Sequence, residues 1–338
     1  MPVKSRPAFL AIVAALVAVL GTVAPTTASA ATRHAQPLAS APWAIAIQAN
    51  DNNVWTVSTA SGVQQLRLAM RSGTNPSVAM LTGGYGVAYQ GSDSSLRIYD
   101  ARSKASTNLH LGMMSGTSPS YTRLVGTDSS AVAIQSNNGE LWTWSTTSGV
   151  QNLHIALKAA TSPSIVGLSA GGFAVAYQGS DGSLHVYLSI TNTTSTLHLG
   201  MHASTSPAIT ALPSGGFAVA IESVDKDLWT WTSGVGAQDL STALRAGTSP
   251  SIAVAKAGYE VAAIGSSGSL LLVTTDGATN THITPNAGSS PSIAALTNGT
   301  FEIAYNAQTA GLRTYDATNG SIDRHLGMQA GTSPSIAG

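Results

Sequence analysis

The sequence predicts an all-β ring of seven four-stranded blades, a β-propeller, from three observations. A Thr-Ser-Pro-Ser tetrad or a near variant recurs with its proline at Pro76, Pro119, Pro163, Pro207, Pro250, Pro291 and Pro334, at intervals of 41 to 44 residues. Each interval holds four short apolar runs separated by Gly, Ser, Asn and Asp, the pattern of strands and turns. The two ends are complementary: residues 42–75 carry three strands without the Pro-Ser-Ile run, and residues 334–338 carry that run alone. Six whole repeats plus one split repeat make seven blades, and closure leaves no open sheet edge.

The elements follow in order within each repeat. The first strand is the short run after the proline, as in Ser164-Ile165-Val166. The second opens on an aromatic in six blades (Trp43, Tyr85, Phe173, Phe217, Tyr259, Phe301), a position expected to form core between blades. It closes on a polar residue at Gln48, Gln90, Gln135, Gln178, Glu222 and Asn306, with Ile264 as the exception. Six residues later Leu or Val opens the third strand, so the connection is a tight hairpin. Its third residue is Asp51, Asp93, Asn138, Asp181, Asp225, Ser267 or Thr309, and Asp and Asn there bond their own backbone in a turn. The fourth strand typically reads Leu-His-Leu.

A two-blade period lies over the seven-fold one. The second residue of the third strand is Trp55, Arg97, Trp142, His185, Trp229, Leu271 and Arg313 in turn. A position that holds both Trp and Arg is expected to reach water, since an unpaired charge in a dry core is costly. Trp55, Trp142 and Trp229 then offer stacking faces, and Arg97, His185 and Arg313 offer donors, for a polyhydroxylated ligand. Five of the eight histidines share one fourth-strand position: His110, His154, His198, His282 and His325. They read either as structural residues bonding backbone or a neighbouring blade, or, at His110, His154 and His198, as donors to ligand hydroxyls in pockets between blades. One histidine per blade does not make a zinc site, and neither a metal nor a cofactor is expected.

Composition narrows the partners. Residues 1–30 read as a secretory signal: Lys4 and Arg6 precede an apolar run from Ala8 to Leu20 and an Ala28-Ser29-Ala30 cleavage site. Residues 31–41 form a lead and 42–338 the propeller, so a secreted protein is expected. Only 9% of residues are charged, and no basic stripe suits nucleic acid. There is no cysteine, which excludes thiol chemistry, and no polybasic or amphipathic segment points to a membrane. The remaining surface of hydroxyl, amide and aromatic groups suits neutral glycans. An enzyme is not expected. Glu140, Glu222, Asp225, Asp227, Glu260 and Glu302 read as repeat variation and not as the paired carboxylates of glycoside hydrolysis, and no Gly-x-Ser-x-Gly or His-Glu-x-x-His is present.

The Thr-Ser-Pro-Ser-Ile strand, the Gly-Gly-Phe-Ala-Val-Ala-Tyr-Gln strand and the Gly-Glu-Leu-Trp hairpin together cover nearly all of 42–338. They resemble the repeats of secreted actinobacterial proteins and are similar to bacterial seven-bladed fucose-binding and tectonin-type propeller lectins. The resemblance implies a multivalent glycan-binding function. Fungal fucose lectins place an Arg, a Glu and an aromatic in each site, whereas Arg and Glu do not recur blade by blade here. The sequence-level expectation is therefore a lectin with repeated weak sites, with an extracellular protein-interaction or cell-wall scaffold as the alternative and a glycan-active hydrolase as the third reading.

Overall fold

The computed structural model describes residues 41–256 and 258–338. The expected signal segment and nearly all of the lead lie outside the described residues. The described chain forms seven four-stranded antiparallel sheets with no helix among them. Blades two to seven use consecutive strands, starting at Ser77, Ser120, Ser164, Ala208, Ser251 and Ser292. Blade one combines Ala44–Gln48, Asn53–Ser58 and Gly62–Ala69 with the last strand, Ser335–Ala337, which pairs antiparallel with Ala44–Ala46. The expected seven-bladed ring, closed by the C-terminal strand, is the fold of this protein.

Burial falls outward along each blade. The second strand is buried on both faces, as in Phe173–Gln178, because neighbouring blades cover it from both sides. The third strand alternates, and the outer strand is largely exposed, as Glu140–Ser145 and Gly149–Ala156 illustrate.

The Phe-Ala-Val-Ala-Tyr pattern is a packing device. The alanines of one blade face the bulky residues of the next: Ala174 and Ala176 pack with Phe217, Val219 and Ile221, and Ala131 and Ala133 with Phe173, Val175 and Tyr177. Small against large lets the sheets approach and still fill the seam at core density. Blade two carries Gly86 at the alanine position because blade three inserts Tyr121 there; a Cβ on Gly86 would lie 2.6 Å from the tyrosine ring.

The tetrad joins the blades. Its Thr or Ser hydroxyl donates to the carbonyl three residues back, as from Thr74 to Arg71 and from Thr161 to Lys158, both at 2.7 Å. The next residue forms a closed ring of hydrogen bonds. The backbone N–H groups of Asn75, Ser118, Ser162, Ser206, Ser249 and Ser290 each donate to the side-chain oxygen one blade on, and Ser333 N–H donates to Asn75 Oδ1. All seven distances are 2.8 or 2.9 Å. The serine after the proline builds a second ring, accepting from the inner strand of the adjacent blade at Ser77, Ser120, Ser164, Ser251, Ser292 and Ser335. Ala208 leaves the one gap in this ring.

The polar residue ending the second strand clamps the chain between blades. Gln48 Nε2 donates to Arg71 O at 2.8 Å while its Oε1 accepts from Gly73 N–H at 2.9 Å. Gln90, Gln135, Gln178 and Asn306 likewise donate to carbonyls about one outer strand further on.

Candidate functional site on the third and fourth strands

The third-strand position held by Trp55, Arg97, Trp142, His185, Trp229, Leu271 and Arg313 follows the hairpin directly, and in blades one, two and four a hairpin acid explains why Trp, Arg and His interchange there. Asp51, Asp93 and Asp181 each accept a bond from the backbone N–H two residues on, at 3.0 to 3.1 Å, which forms the turn. Their carboxylates then receive the side chain four residues later. Trp55 Nε1 lies 3.2 Å from Asp51 Oδ2, Arg97 Nη2 2.9 Å from Asp93 Oδ2, and His185 Nε2 3.0 Å from Asp181 Oδ1. Each of the three residue types offers an N–H at similar reach. Trp55, Trp142, Trp229, Arg97, His185 and Arg313 are all half-buried, so the position does reach water.

Close approach just past the second strand accompanies the non-Trp residues of blades two and four. Arg97 and His185 lie across Gly91 and Gly179, where a Cβ would come within 2.6 Å of the side chain. His185 also stacks on Tyr177, with ring centroids 5.4 Å apart.

The outer strand adds a third group. Gln65 Nε2 donates to Asp51 Oδ2 at 2.8 Å, and Thr196 lies 3.1 Å from His185 Nδ1. In blade seven, Arg313 instead meets Asp323 of the outer strand at 3.0 Å. Blade three gathers the most: beside Trp142, Glu140 accepts from Asn138 and Asn152, each at 2.7 Å, and His154 Nδ1 lies 3.8 Å from its other oxygen. These amide donors hold the Glu140 carboxyl below its ordinary value, Asn152 most of all. Asp93 is held well below its usual range by the Ser95 hydroxyl and then by Arg97. In blades one to four and seven the shelf is therefore an anionic acceptor beside an N–H donor, with a Trp face in blades one and three.

The recurrent histidines are placed differently from either expectation. His110, His154, His198 and His325 are exposed on the outer strand and His282 is exposed just past its end, not in pockets between blades, and all have φ between 53° and 58°. Arg67 and Ser241, which fill the slot in the other two blades, also have positive φ. The outer strand bulges here in six blades, with its register shifting against the third strand. An Asn or Asp two residues earlier accepts the backbone N–H at this position, at 2.7 to 2.8 Å for His110, His154, His282 and His325. Histidine, like Asn and Asp, is enriched at left-handed backbone positions, so conformation accounts for its recurrence. Only His154 among the three proposed donors is near a shelf acid.

Two carboxylates read as repeat variation occupy the seam alanine position. Glu302, in blade seven, meets Arg324 Nη2 at 3.0 Å; Arg324 also donates to Thr314 Oγ1 and lies 4.9 Å over the Trp43 ring of blade one. Here an Arg, a Glu and an aromatic do meet, but Glu302 and Trp43 are buried and the arginine already satisfies them. Glu260, in blade six, has no such partner among the described residues, and burial raises its carboxyl above the ordinary value. The pairing was not visible in the sequence because Arg324 replaces an outer-strand leucine 22 residues from Glu302.

No protein-family model matches the chain, and no curated protein matches it. Solved structures match its fold. AofleA from Arthrobotrys oligospora is 15% identical with a TM-score of 0.53, covering 80% of this chain and 90% of its own. The Aleuria aurantia lectin, solved with Fucα1-6GlcNAc, is 10% identical with a TM-score of 0.51, covering 75% and 96%. The WD40 repeats of RRP9 are 13% identical with a TM-score of 0.53, covering 79% and 87%.

Proposed function

We propose that this protein is an exported carbohydrate-binding propeller that engages glycans through repeated, individually weak sites on the shelf of its third and fourth strands. The observation that carries the reading is the recurrence of a half-buried Trp, Arg or His against a hairpin acid in blades one, two and four. Such a shelf combines a stacking face with fixed acceptors and donors, the chemistry that holds a sugar ring and its hydroxyls. The sparse charge of the chain suits a neutral ligand, and the propeller lectins that share this fold add support. Blade three is the best-equipped site, with Trp142 for stacking and Glu140, Asn152 and His154 for hydroxyls. A shallow site buries little of a monosaccharide, so each affinity is about millimolar, and avidity comes from spanning several blades.

A glycan array on the secreted protein, followed by tryptophan fluorescence titration of Trp142→Ala and Trp229→Ala, tests this. Loss of most binding in the substituted proteins is expected; binding unchanged by both would remove the shelf from consideration. The likeness to WD40 repeats supports a second reading, a protein-recognition scaffold, for which the array stays blank.

A further inference from the structure

The seams following blades six and seven make a natural comparison. In both, a glutamate replaces the small residue of the second strand, and an aromatic from the next blade faces it: Glu260 with Phe301, and Glu302 with Trp43. In the second seam the chain supplies its own guanidinium. Arg324 bonds Glu302 at 3.0 Å and lies over the Trp43 ring at 4.9 Å. In the first seam the position of Arg324 belongs to Thr281, whose hydroxyl is turned to the backbone carbonyl of Leu270 at 2.8 Å. Among the described residues no arginine lines this seam. A cavity of about 290 Å³ opens in this seam beside the adjoining loops, and Glu260, Tyr259 and Phe301 line it. Phe301 is half-buried where Trp43 is buried, as expected of a ring that has lost its cover.

We propose that the groove between blades six and seven binds a guanidinium group, presented by an arginine side chain of a partner peptide, with Glu260 as its counter-ion and Phe301 as its stacking face. Arg324 in the adjacent seam is the intramolecular copy of this ligand. A planar guanidinium pairs with a carboxylate through directed bonds and stacks on an aromatic face, which an ammonium does less well. Lys256 and Asp276 also line the cavity. Lys256 is exposed, and no ion pair joins it to Glu260 among the described residues. The site is separate from the glycan shelf, so the two readings stand or fall independently.

Calorimetric titration with methylguanidinium tests the proposal. The wild-type protein is expected to bind one equivalent saturably, and Glu260→Gln to weaken binding at least tenfold while remaining folded by circular dichroism. Arg324→Ala empties the second seam, so stoichiometry should rise from one to two, and methylguanidinium should restore part of that variant's lost melting temperature. Absence of saturable binding to wild type, binding unchanged in Glu260→Gln, or equal affinity for methylammonium would each overturn the assignment. The first two readouts need only wild type and Glu260→Gln, so they hold even if Arg324→Ala fails to fold.

Discussion

Asn75 Oδ1 accepts a hydrogen bond from the backbone N–H of Ser333 at 2.8 Å, across 258 positions of chain. It completes a ring whose other six bonds each link one blade to the next. Every blade therefore both donates to one neighbour and accepts from the other, and the last blade is tied to the first by the same chemistry as all the rest.

Removing residues 334–338 should lower the melting temperature strongly. The deletion strips the inner strand from blade one, takes buried Ile336 from the seam and breaks the Ser335 contact with Val78 N–H at 3.1 Å. Ile336→Ala isolates the packing part and should cost about 2–5 kcal/mol. Thermal denaturation that is unchanged for the deletion would contradict closure by this strand.

The gap in the second ring can be filled. Ala208→Ser supplies the acceptor that six other blades possess, and Ile252 N–H corresponds to the donors seen at Ile293 and Ile336. A gain of about 0.5–1.5 kcal/mol, the net worth of one added hydrogen bond, is expected in urea denaturation. A loss of stability would show that the donor in blade six is oriented elsewhere.

Glu222 should make stability depend on pH. It occupies the clamp position held by glutamine in four blades, is fully buried, and accepts from Gly247 N–H at 3.1 Å while its other oxygen has no partner among the described residues. Burial raises its carboxyl above the ordinary value, against the smaller opposing effect of His202 4.0 Å away. The folded state thus favours the protonated form more than the unfolded state does. Its contribution is full below the unfolded glutamate pKa of about 4.3 and is lost as pH rises through the higher folded value. Glu222→Gln should flatten that decline and stabilise the protein at neutral pH. Denaturation curves of both proteins at several pH values measure it, and identical pH profiles would refute it.

The bulge histidines should obey backbone rules. His154→Asn keeps a residue suited to positive φ and should change stability by less than about 0.5 kcal/mol, whereas His154→Val should cost about 1–3 kcal/mol. Equal costs for the two would place the role of His154 in its side chain, as the glycan reading of blade three would have it.

The sequence by itself determined the repeat count, the four strands per blade, the split first blade and the aromatic seams. Each depends on local polarity, turn chemistry and spacing along the chain, which the period exposes directly. Asp51 and Asp93 were legible as turn residues for the same reason: their first bonds go two residues forward. The tertiary structure alone decided what the remaining polar groups do. Ser118 and Ser162 bond each other from neighbouring blades, and nothing in their spacing says that the bond crosses a seam. His110 and His154 recur because their backbone is left-handed, and φ is set by an outer-strand bulge that leaves no separate mark on side-chain polarity. Glu260 and Glu302 look alike in the repeat, yet only one meets an arginine. Whether a buried charge is paired depends on which side chain stands opposite in space, and only the packed ring brings Arg324 to Glu302 and leaves Glu260 facing a cavity.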